Sequence, residues 1–183
     1  METIEHMRAA RRAPDWALQE ILDTVRCVFG VELCAVNLLL SSVVYIRVWA
    51  GELPEHLAAT RRELRERSIC PRVVVSGEAL LIEDLSQAEE LREHYACAVY
   101  GLRFYAGVPL LTSEGLVIGT LCLLDSRPRE LERDGMRMLE SFARALTGRM
   151  EFLGDLLRER EIRECVRKRE SHEEGKRNRR KGD

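Results

Sequence analysis

Six cysteines and four histidines are the side chains of this 183-residue chain best suited to nucleophilic, redox or metal chemistry. The cysteines stand at positions 27, 34, 70, 97, 122 and 165. No two make a C-x-x-C pair, and no zinc-type spacing, Gly-rich phosphate loop or Ser/His/Asp arrangement is visible. Most sit in apolar settings, "ELCAV" around Cys34 and "GTLCLL" around Cys122, which in a reducing compartment marks buried small hydrophobes. Cys70 and Cys97 fit the same packing role. His94 lies three residues before Cys97 and beside Glu93, where it reads as a partly exposed helix residue. Tyr95, Tyr100, Arg103 and Tyr105 are types that could line a pocket. Arg103 would then pair with an anionic ligand, or else with a carboxylate at a sheet edge.

These residues make no catalytic constellation by themselves, so the elements that carry them must say what they are for. Asp15 after Pro14 starts a helix with Leu18, Ile21, Leu22, Val25, Val28 and Phe29 at helical spacing, closed by Gly30. "VELCAVNLLL" (31–40) is apolar on both faces and predicts a central strand. "VVYIRVWAG" (43–51) alternates, with Val44, Ile46 and Val48 on one side and Tyr45, Arg47 and Trp49 on the other, and the short connection makes a hairpin. Residues 52–67 are charged and lack a β pattern, predicting a surface excursion with some helix. Ser68 then caps a short helix through "ICPRVVV", and Gly77 turns the chain into the short strand of "EALLIEDL". Ser86 heads a weakly periodic helical segment over 86–101.

The stretch 103–125 has the strongest hairpin signal: two apolar runs joined by "SEG" with its glycine last. Gly107 and Gly119 inside these strands predict bulges or close backbone approach. A long helix follows from about Glu132, with Leu139, Phe142, Leu146, Met150, Leu153 and Leu157 on one stripe. The order predicts an α+β fold, an antiparallel sheet of five to six strands with both terminal helices on one face. Residues 1–14 read as an N-terminal extension, 15–150 as the domain, 151–170 as a helical extension and 171–183 as a disordered basic tail. The stripe beyond Met150 outlasts what the domain needs, which predicts a homodimer through Leu146, Met150, Leu153 and Leu157.

Charge bounds the partners. Residues 1–153 carry 18 basic and 23 acidic groups, and 154–183 carry 11 and 8. The body would repel nucleic-acid phosphates, so only the tail could meet them, and its interleaved glutamates favour a solvated role. The polar start and the lack of a membrane-length apolar run predict a cytoplasmic protein.

Four segments taken in order, "ELCAVNLLL" to "WAG", "SIC" (68–70), "GEALLIEDL" (77–85) and "GLRFYAGVPLLTSEGLVIGTLCLLDSRPREL" (101–131), resemble the GAF domain family over about residues 15–150. The resemblance implies a sensory or regulatory module with a pocket between one sheet face and the loops around the third strand and the following helix. It makes Cys70, His94, Tyr95, Cys97, Tyr100, Arg103 and Tyr105 the pocket candidates, and it implies an unknown small-molecule ligand and a signalling partner. The Asn-Lys pair of cyclic-GMP-binding members is missing, the only asparagines being Asn37 and Asn178. Bilin-binding members attach through a cysteine followed by histidine, whereas Cys97 is followed by Ala98 and Cys70 by Pro71. Only His94 stands where haem would need a ligand. No cofactor is therefore expected. Standalone reductases of free methionine sulfoxide share the family; Cys97 and Cys70 fall near their redox positions, with Asp125 the one match to their acidic cluster. The expectation is a non-catalytic module acting through its terminal helices, with that reductase as the alternative.

Overall fold

A computed structural model describes residues 16–155. The expected N-terminal extension, the helical extension from residue 156 with Leu157, and the basic tail lie outside the described residues. Residues up to Arg149 belong to one compact unit and those from Met150 to another.

Helix α1, Trp16–Phe29, buries Leu18, Leu22 and Val25 completely. Each such side chain contributes about 1.5–3 kcal/mol. Gly30 ends it in the left-handed region, at φ 59°. Strands β1, Leu33–Leu39, and β2, Val43–Gly51, form the expected hairpin. Helix α2, Glu55–Thr60, and the three-residue strand β3, Arg62–Leu64, occupy the charged excursion. Helix α3, Cys70–Ser76, ends at Gly77, also left-handed, and strand β4, Leu80–Ile82, follows. Helix α4 is only Tyr95–Ala98. Strands β5, Phe104–Leu111, and β6, Val117–Asp125, make the second hairpin. Helix α5 spans residues 133–155, with Leu139, Ala143 and Leu146 fully buried or nearly so.

The six strands form one antiparallel sheet in the order β3-β2-β1-β6-β5-β4, which puts β1 and β6 at the centre as their two-sided apolar content requires. Helix α1 packs on β1 and β2, and α3 packs on β6, β5 and β1.

Four details depart from the sequence reading. The register of β1 and β2 runs Val36↔Val48 and then Asn37↔Ile46, so Arg47 is bulged. A bulge inserts a residue and resets the alternation. Val44 and Ile46 therefore share a face with Asn37, while Val48 pairs with Val36 on the other face and Trp49 joins Ala35. Strand β3 pairs with β2 through Val44↔Glu63, a backbone ladder that needs no apolar pattern in a short edge strand. The expected helix over 86–101 is mostly turns. Ser86 does not head it: its N–H and Oγ donate to Asp84 Oδ1 at 3.0 and 2.8 Å. Ser68 Oγ accepts from Cys70 N–H at 3.3 Å, although the cap position of α3 is Ile69.

Candidate functional site

A cavity of about 710 Å³ lies against one face of the sheet, between the strands and the segments carrying α2, α3 and α4. Its floor is set by alternation. Ala35, Asn37 and Leu33 of β1 stand beside Cys122 and Leu124 of β6, with Tyr105 of β5 next in line and Val44 and Ile46 of β2 on the other side. The bulge at Arg47 is what presents both β2 side chains here. Cys70, the first residue of α3, and Ile69 cover the floor from above.

Two glycines make this arrangement possible. A Cβ on Gly119 would sit 1.9 Å from the carbonyl oxygen of Asn37, so only glycine lets β6 approach β1 at that position. A Cβ on Gly107 would sit 2.4 Å from the Tyr105 hydroxyl. The Tyr105 ring lies along the bare backbone there, and its OH donates to Cys70 Sγ at 3.6 Å.

Asn37 is 7% exposed, and its Nδ2 donates to both Cys70 Sγ and Cys122 Sγ, at 3.3 Å each. Its Oδ1 is buried with no donor from the protein. Hydrogen bonding at its sulfur, with Cys122 as the first cause and the Tyr105 hydroxyl among the others, outweighs desolvation and brings the Cys70 thiol down to about 6. Cys122 is pushed up by its hydrogen bonding with Cys70 and by burial, and Tyr105 by burial first. One thiol is thus poised to ionise and its neighbour to keep its proton.

Higher in the wall, the Tyr100 hydroxyl donates to Glu63 Oε2 and lies 3.1 Å from His56 Nε2, joining α2, β3 and the end of the α4 segment. Burial and then the bond to Glu63 raise the Tyr100 hydroxyl above its usual range. Arg26 and Glu32 line the cavity too; Arg26 Nε donates to the Glu32 carbonyl at 3.1 Å, and the Glu32 carboxylate accepts from Ser126 N–H and Oγ.

Cys70, Tyr100 and Tyr105 line this cavity, whereas His94, Tyr95, Cys97 and Arg103 do not. His94 caps α4, its Nδ1 accepting from Ala96 N–H at 3.2 Å. Tyr95 meets Tyr100 edge-on with ring centroids 5.1 Å apart, under the Arg67 guanidinium. Cys97 is half-buried at the margin of the core. Arg103 makes a two-pronged pair with Asp84 at 2.9 and 3.0 Å and holds that carboxyl well below its usual range, the carboxylate alternative to an anionic ligand. Asp125 is fully buried and is bound by Arg129 Nε at 2.6 Å and by the backbone N–H groups of Glu32 and Arg127. It locks the end of β6 to the start of β1. Among the described residues no group of three or more His, Cys, Asp or Glu is gathered to hold a metal. Nor is any described helix long and apolar enough to cross a membrane.

Sequence reasoning missed Asn37, Cys122 and Glu63. Asn37 had a signal, being the one polar residue between Cys34 and Leu40 in an apolar strand. Cys122 and Glu63 had none, because only the register brings them to the cavity.

The fold is shared with known proteins. A domain of a two-component sensor histidine kinase protein from Sinorhizobium meliloti superposes with a TM-score of 0.65 at 20% identity, over 81% of this chain and 99% of that one. The free methionine-R-sulfoxide reductase of Neisseria meningitidis, in complex with its substrate, superposes with a TM-score of 0.60 at 21% identity, over 80% and 84%. A curated relative, a cyclic di-GMP phosphodiesterase of Pseudomonas aeruginosa, is 28% identical over 153 residues. That match takes in 82% of this chain and only a quarter of the relative's length. The family model for the GAF domain matches residues 14–149, most of the sequence, and the chain belongs to the GAF domain family.

Proposed function

We propose that this GAF domain is a non-catalytic sensor or regulatory module whose cavity takes a small molecule and whose C-terminal helix carries the event to a partner. The observation that carries this reading is Asn37, whose Oδ1 is buried at the cavity floor with no protein donor. Leaving such an acceptor unmade costs about 1–3 kcal/mol, and functional sites are where such costs persist. A cavity of about 710 Å³ suits a small organic ligand. The matching ligand has an apolar body for Ala35, Ile46, Leu57 and Leu124 and an N–H or O–H donor for Asn37. The cyclic di-GMP phosphodiesterase relative supports a signalling setting for such a module.

Cys70 in the cavity keeps the reductase alternative in view. Against it, Cys97 does not line the cavity, and the Asp125 carboxylate is already bound by Arg129. Saturation-transfer NMR with small heterocycles and amides bearing N–H donors tests the binding reading. At least one should give signal with the purified chain and lose it with Asn37→Leu. Turnover of free methionine sulfoxide with a dithiol, abolished by Cys97→Ser, would overturn the non-catalytic reading.

A further inference from the structure

The cavity floor holds two thiols that binding of a ligand to Asn37 leaves unexplained. Asn37 Nδ2 stands 3.3 Å from each sulfur, so Cys70 and Cys122 are neighbours, brought together by helix α3 and strand β6. Cys70 receives the Tyr105 hydroxyl as well, and Cys122 directs its thiol at 3.6 Å toward the Ala35 carbonyl. We propose that Cys70 is a modification site for hydrogen peroxide, which enters through the cavity, and that Cys122 resolves the product as a Cys70–Cys122 disulfide.

Four observations bear on this. Donors surround the Cys70 sulfur on its buried side, and they stabilise a thiolate, the reactive form. Cys70 is 5% exposed and lines the cavity, so a small molecule that enters the cavity meets its sulfur. The unpartnered Asn37 Oδ1 offers an acceptor for a peroxide O–H beside that sulfur. Finally, a second thiol, that of Cys122, is held by the same Asn37 amide. The inference does not depend on any other ligand for the cavity.

The chemistry balances without a metal. The Cys70 thiolate attacks one peroxide oxygen, the O–O bond breaks, and Cys70 becomes a sulfenic acid while the other oxygen leaves as hydroxide. That hydroxide takes the Cys122 thiol proton to give water. The Cys122 thiolate then attacks the Cys70 sulfur, the S–S bond forms, and the sulfenic oxygen leaves as hydroxide, taking a proton from solvent. Two thiols are oxidised and one peroxide is reduced to two waters.

The test is peptide mapping by non-reducing mass spectrometry after an equimolar dose of hydrogen peroxide to the reduced, full-length chain, quenched by alkylation. The expected product is the Cys70–Cys122 cross-link, formed before the exposed Cys27 is touched. Cys122→Ala should stop the reaction at a sulfenic acid on Cys70, trapped by dimedone. If Cys70 stays reduced while Cys27 or Cys97 is oxidised, or if Cys70 pairs with a cysteine other than Cys122, the proposal is overturned. The wild-type map alone decides this even if the variant does not fold. The NMR experiment above reads ligand binding separately, so each claim can fail without the other.

Discussion

Burial alone raises a thiol, and Cys34 shows it: set in the core under the field of Arg26 and Asp23, it is driven well above its ordinary range, with desolvation as the first cause. Cys70 is buried too and goes the other way, because hydrogen bonding at its sulfur, with Cys122 as the first cause, outweighs desolvation, and the Tyr105 hydroxyl and Asn37 Nδ2 both donate to it. Its folded value of about 6 is below the roughly 8.5 of an unperturbed thiol. Its ionisation therefore adds stability that builds as pH rises from about 6 to 9, is complete above, and is lost as pH falls through 6. Alkylation of Cys70 by iodoacetamide should rise through about pH 6 and level off above pH 7, whereas in the denatured chain it should rise near 8.5. A profile in the folded chain that matches the denatured one would remove the poised thiol. At this scale the sequence was half legible. Residue types offered Tyr100 and Tyr105, and the family resemblance added Cys70, but only neighbours from distant strands decide whether a cysteine is inert or reactive.

Among the elements, the strands were the most legible, since apolar runs and the "SEG" turn carry their own punctuation. What escaped were features that leave no mark in the pattern. The bulge at Arg47 changes which β2 side chains reach the cavity without changing the residues that flank it. The segment 86–101 carries Leu91, Tyr95 and Ala98 at helical intervals, yet Ser86 is committed to Asp84 and to Arg103, and the chain turns instead. The glycines were legible as special positions, and the structure gives each its reason. Gly119→Ala should cost about 1–3 kcal/mol, because its Cβ meets backbone rather than a movable side chain. It should also displace Asn37, so that peroxide loses its preference for Cys70 over Cys27. Urea unfolding together with the oxidation map checks both; an unchanged midpoint would mean that the two central strands part without cost.

For the whole molecule, the family and the sheet were legible because several segments agree in order, while assembly was not. Of the expected dimer stripe, Leu146 is fully buried, Leu153 is half-buried, and the neighbouring Phe152 is 54% exposed. A helical stripe of apolar residues looks the same whether it covers its own sheet or a second copy. The dimer proposed for the output helix therefore rests on Leu153, Leu157 and Phe152. Light scattering at micromolar concentration should show a dimer for the intact chain and a folded monomer for Leu153→Glu/Leu157→Glu. A monomer throughout would remove the helix pairing as the output route.

The central claim is that the cavity over Asn37 exists to hold a small molecule, and thermal unfolding of the wild type and of Asn37→Leu, with and without the compound selected by NMR, tests it most directly. Replacing a buried, half-satisfied amide by an apolar side chain of similar size should leave the free protein as stable as before, or more so. A ligand at about a hundred times its Kd should stabilise the wild type by about 2.7 kcal/mol, a shift of several degrees, and leave Asn37→Leu unmoved. If the free variant instead unfolds several degrees lower and the compound shifts both proteins equally, Asn37 is a structural residue and the cavity is not the site.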